Sequence, residues 1–139
     1  MGVYTGIAQD NVTITSGTAA LTTLSVSGAT TFSGALSVAG ALTSTAPVTK
    51  TADFTVADTE TFLINNKTGS ACVVTLPAAA SWTGRILVLK TTQAQAITSA
   101  SSNVVAAAGG SAGTAVVSGT AGNWALLVSN GTAWVIMAS

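Results

Sequence analysis

The stretch LSVSGATTFSGALSVAGAL, Leu24 to Leu42, carries two periods at once. Its even positions are Leu24, Val26, Gly28, Thr30, Phe32, Gly34, Leu36, Val38, Gly40 and Leu42, and small or hydroxyl residues fill the odd ones. That alternation is the repeat of an extended strand, whose side chains point to opposite faces in turn. Glycine also recurs every sixth residue, at 28, 34 and 40, each two positions after Val26, Phe32 or Val38. The unit is a hexad, and weaker copies reach back to Val12 and forward to Ser44.

A hexad cannot bury its own apolar edge and must stack on neighbours. With about six copies, one chain winding alone completes too few coils to stand as a free solenoid. Three identical chains around one axis supply three apolar edges at every level, and regularly placed glycines permit close backbone approach there. The sequence therefore predicts an intertwined, homotrimeric β-helical shaft over residues 12–47, with Leu24, Val26, Phe32, Leu36, Val38 and Leu42 as its packed edge. The plain alternative is a Ser/Thr/Ala/Gly linker, which has no reason to keep two parities and a six-residue glycine spacing.

The run TLSVSGATTFSGALSVAGALTS resembles the repeats in the shafts of bacteriophage tail fibres, head fibres and other virion spikes. In the second half, Thr75-Leu-Pro77, Gly84-Arg-Ile-Leu-Val88, a Gly-rich loop and the closing SNGTAW (Ser129–Trp134) resemble small β-domains of phage fibre and spike proteins. The resemblance implies a virion structural protein, assembled in the host cytoplasm and displayed on the particle surface. No functional residue is carried over from it.

Composition is consistent with self-association. Charged residues make up 6% of the 139-residue chain, against about 25% in an ordinary domain. Net charge is zero and 48% of residues are hydrophobic. Such a surface has little charge to oppose association. Ser, Thr, Gly or a charge interrupts every apolar run well before about 18 residues, which argues against membrane insertion. The first residues lack the basic and apolar regions of a signal peptide, which weakens a bacterial surface-adhesin reading. Lys50, Lys67, Arg85 and Lys90 are scattered singly, so binding of nucleic acid through phosphate neutralisation is not expected.

Residues 1–11 hold two apolar anchors, Tyr4 and Ile7, between glycines and an Asp-Asn pair. They read as an arm that docks on a phage capsid or another virion protein. Pro47, which cannot donate to a strand ladder, closes the shaft. From Val48 the texture changes: seven of the eight charges and all three Trp follow. Strands are predicted at 50–56, 61–65, 71–76, 85–90, 96–99, 103–106, 114–117, 123–128 and 133–137, with Arg85–Lys90 as the most buried. Ser129-Asn-Gly131-Thr predicts a hairpin with a type I′ turn. The expected domain, 48–139, is an antiparallel, jelly-roll-like β-sandwich.

The inventory for chemistry is short. There is no histidine, so neither a Ser-His-Asp nor a Cys-His arrangement can be built. The lone Cys72 sits in an apolar strand as an inert buried thiol. Asp58 and Glu60 could pair as glycosidase acids do, but a turn between strands explains both. Asp53, Asp58 and Glu60 have no calcium-loop motif behind them, and Gly109–Gly113 is not a phosphate loop. The chain reads as non-enzymatic, with no cofactor. Trp124 and Trp134 are expected in the core or at a trimer interface. Trp82, in a loop, is the Trp expected at the surface and the candidate contact for a host-surface glycan. The leading expectation is a capsid decoration protein or short head fibre, since even a fully extended shaft of this length spans at most about 120 Å. The alternative is a tail-fibre tip or glycan-binding adhesin.

Overall fold

The computed structural model describes residues 30–31 and 33–139. The docking arm with Tyr4 and Ile7, and the shaft positions Leu24, Val26 and Phe32, lie outside the described residues. The chain divides into two units, Met1–Gly40 and Ala41–Ser139. Residues 33–47 contain no strand, and Leu36, Val38 and Leu42 are exposed.

The second unit is all β apart from one 3-10 turn, Ala79–Trp82. Its strands are β1 (Val48–Lys50), β2 (Phe54–Thr55), β3 (Phe62–Asn65), β4 (Cys72–Thr75), β5 (Ile86–Thr91), β6 (Ile97–Ser99), β7 (Val104–Val105), β8 (Ala115–Val117), β9 (Trp124–Ser129) and β10 (Trp134–Ala138). They form a six-stranded sheet in the order β1-β3-β5-β9-β10-β7 and a four-stranded sheet in the order β2-β4-β6-β8.

The expected antiparallel jelly roll is corrected here: both sheets are mixed. The pairs β1/β3, β3/β5, β2/β4, β4/β6 and β7/β10 are parallel, and β5/β9, β9/β10 and β6/β8 are antiparallel. The cause lies in the corners. From β1 to β8 each strand joins the opposite sheet from the one before it, so every second strand adds to the same sheet. Over β1 to β6 the added strands run in the same direction. The stretch 50–56, expected as one strand, is two strands of different sheets, separated by a bend at Thr51-Ala52. Only β9 and β10 fold back in plane as a hairpin.

Alternating side chains from the two sheets meet in one core. Leu63, Leu87, Leu89, Ala125, Leu127 and Trp134 come from the six-stranded sheet; Val74, Ile97, Val116 and Val117 come from the other. Burial of this apolar surface at roughly 25 cal/mol per Å² is the main stabilising term. β5 occupies a middle position between β3 and β9, as its apolar run suggests, yet only its inward residues Leu87, Leu89 and Thr91 are buried. Ile86, at its start, is 49% exposed.

The hairpin has the expected partners and a different turn. Ser129 pairs with Trp134, so residues 130–133 form a four-residue loop rather than a two-residue one. Asn130 keeps negative φ; only Gly131 takes the left-handed conformation, at φ 87°. The Asn130 side chain instead accepts hydrogen bonds from the Thr132 and Ala133 N–H groups, at 2.9 and 2.8 Å. That is the local capping chemistry typical of Asn in turns.

Candidate functional surfaces

Two polar constructions brace the corners. Lys50, Asn65 and Thr91 end β1, β3 and β5 in register. Asn65 and Thr91 are buried, and Asn65 Nδ2 donates to Thr91 Oγ1 at 3.2 Å. The next residues repeat the link between strands: Asn66 N donates to the Lys50 carbonyl at 2.8 Å and Thr92 N to the Asn65 carbonyl at 2.9 Å. Buried polar groups are tolerable because they are satisfied: Asn65 Oδ1 also accepts from Lys67 N and Thr91 Oγ1 donates to the Gln93 carbonyl.

The second construction is ionic. Glu60 is buried; one carboxylate oxygen pairs with Lys50 Nζ and the other accepts from Ala57 N at 2.9 Å. Arg85 Nη2 donates to the carbonyls of Ala57 and Glu60, both at 2.7 Å. Burial pushes the Glu60 carboxyl up, but the Ala57 N–H, Lys50 and Arg85 together hold it below its ordinary value. The guanidinium of Arg85 lies 3.9 Å from the centre of the Trp82 ring, a cation–π contact. With both oxygens engaged and the charged form favoured, the Glu60 side chain fastens the turn at residues 57–60 to β1, and Arg85, just before β5, holds the same turn through its carbonyls. Asp58, by contrast, is exposed.

The sequence gives little notice of this cluster, since Lys50 and Arg85 lie 10 and 25 residues from Glu60 on either side of it. Asp53 makes a simpler pair, with Lys67 Nζ at 2.7 Å, and also accepts from Val73 N at 2.7 Å. Cys72 is fully buried, and burial raises its thiol pKa. Among the described residues, no three of His, Cys, Asp or Glu gather as a metal site would need. Among them also, no helix is long and apolar enough to cross a membrane.

The three Trp separate clearly. Trp134 is fully buried, and its indole N–H donates to the Pro77 carbonyl at 2.9 Å. Trp82 is half-buried against the core with Arg85 over its ring, so it is less open than its loop position suggests. Trp124 is the exposed one, at 42%. It borders a cleft of about 580 Å³ whose lining includes Ser118, Asn123 and Ser139. Its exposure follows from parity, because it shares a face with Leu126 and Val128 while Ala125 and Leu127 point inward.

Comparison with protein-family models, with curated proteins and with solved structures finds no match to this chain.

Proposed function

We propose that the chain is a non-enzymatic, homotrimeric structural protein of a bacteriophage virion. In this reading it is a capsid decoration protein or short head fibre, anchored through residues 1–11, with the domain from Val48 onward projecting. The observation that carries it is the hexad repeat of residues 24–42. Its described edge residues Leu36, Val38 and Leu42 are 58%, 48% and 81% exposed in a single chain. A regular apolar edge left in water by one copy is what an intertwined shaft covers with others. The near absence of charge supports the same reading.

Immunogold electron microscopy of phage particles from a lysate containing the chain tests this. Label on the head surface is expected. Chain found only in the soluble fraction, with unlabelled particles, would overturn the proposal.

A second reading, a tail-fibre tip or glycan-binding adhesin, is favoured by one feature. Trp124 is exposed and lines a cleft together with Asn123 and Ser118. Aromatic rings beside hydrogen-bonding groups suit sugar faces. Label confined to the tail would select this reading over decoration.

A further inference from the structure

The two sheets differ in what they show to solvent. The outer face of the four-stranded sheet carries Thr55, Val73, Thr75 and Thr98, a mostly hydroxyl surface suited to water. The outer face of the six-stranded sheet is built otherwise. Its register lines up Phe62, Val88 and Leu126 in one row across β3, β5 and β9. A second row holds Ile86, Val128, Val135 and Val105 across β5, β9, β10 and β7. A third row, Thr49, Ile64, Lys90 and Trp124, brings the face's one charge to its margin.

Strands with one face in water alternate apolar and polar residues, whereas continuous apolar runs belong to strands covered on both faces. β5 and β9 read Ile-Leu-Val-Leu and Trp-Ala-Leu-Leu-Val, the pattern of strands covered on both sides. Among the described residues, their outer side carries exposed and half-buried side chains. Phe62, Ile86 and Trp124 are 38%, 49% and 42% exposed. At about 150–250 Å² per large side chain, these three alone leave roughly 200–300 Å² of apolar surface in water. The half-buried members of the rows add to it. A stable interface needs about 800 Å² per partner, and these side chains supply about a third of that before the half-buried ones are added.

We propose that this face packs against the same face of further copies of this chain, so that the β-domains associate around the axis of the assembly. A charged partner is a poor fit, because Lys90 is the face's lone charge. A copy brings a matching uncharged surface. The number of copies rests on the trimeric reading above; the face itself does not. If a shaft tethers the domains, their effective concentration reaches about the millimolar range, so a contact too weak to form alone becomes occupied.

The test uses the full chain carrying Ile86→Cys or, separately, Phe62→Cys, treated with a short bismaleimide at micromolar concentration. Thr75→Cys, on the hydroxyl face, is the control. Native Cys72 is buried and does not compete. Covalent dimers and trimers are expected in severalfold higher yield from either face variant than from the control. Adding Val128→Lys to Ile86→Cys should abolish the difference. Equal yields from both faces overturn the proposal, as does a chain that stays monomeric with the introduced thiol shielded. A trimer by mass without preferential linking overturns the face assignment alone and leaves the shaft reading standing. Preferential linking that survives Leu36→Asp with Val38→Asp supports the face and removes the shaft as its cause.

Discussion

Replacing Ser129 by Ala removes one atom from the hinge between the hairpin and the segment before β5. Ser129 is 1% exposed; its Oγ donates to the Ala79 carbonyl at 2.8 Å and accepts from Gly131 N at 3.2 Å. The second fastening of the same segment is Trp134 Nε1 to the Pro77 carbonyl. Deleting the Ser129 hydroxyl leaves a buried carbonyl without its partner, at about 1–3 kcal/mol. Trp134→Phe removes the other donor and also shrinks a fully buried ring, so its expected cost is about 2–4 kcal/mol. Both bonds hold residues 77–82, so once one is lost the segment is looser and the second is worth less. The double variant should therefore fall short of the summed costs by about 0.5 kcal/mol or more. Urea unfolding at a fixed chain concentration measures this, because association makes the midpoint concentration-dependent. At about 1–3 kcal/mol per molar urea, a loss of about 2 kcal/mol lowers the midpoint by about 1 M. Two single variants that each shift it by less than a few tenths molar, with additive effects, would refute the fastening.

Other consequences are as direct. Glu60 and Asp53 both have pKa values below their ordinary 4.5 and 3.8, so each contributes stability above its unfolded value that is lost as pH falls through the folded one. The native chain should weaken on acidification below about pH 4.5, and Glu60→Gln should flatten the Glu60 part of that slope in urea midpoints taken from pH 6 to pH 3. Gly131 holds φ 87°, and a methyl added there would lie 2.9 Å from Thr83 Oγ1, so Gly131→Ala should destabilise by about 1–2 kcal/mol, read as a lowered thermal midpoint. Cys72 should resist a thiol reagent in the native state and react fully in denaturant; rapid native labelling would contradict its burial.

Much of the β-domain could be read from the sequence because parity is local. The alternation at Cys72-Val-Val-Thr75 and the turn at Asp58–Glu60 need only neighbouring residues, and both are present. Pairing direction is not local. Nothing in Lys50–Val56 announces that Thr51-Ala52 bends the chain from one sheet into the other, because the alternation continues through the corner. The same holds for Asn-Gly at 130–131. It marks a turn correctly, while the register of Ser129 against Trp134 fixes the loop length and leaves Asn130 to act through its side chain. The Lys50–Glu60–Arg85 cluster was out of reach for a similar reason, since only the stacking of β1 beside β3 and β5 assembles it. The apolar outer face of the six-stranded sheet was written in the runs of β5 and β9. Of these, the Arg85–Lys90 run alone reads in the sequence as a most buried strand; β5 does lie mid-sheet, yet among the described residues only its inward side is buried.

The measurement closest to the central claim is the native mass of the full chain by light scattering, beside a variant with Leu36→Asp and Val38→Asp. Three copies of a 13.5 kDa chain are expected for the parent, with the variant shifted toward smaller species. A parent that stays at one copy up to high micromolar concentration would contradict the trimeric shaft and return residues 12–47 to a linker.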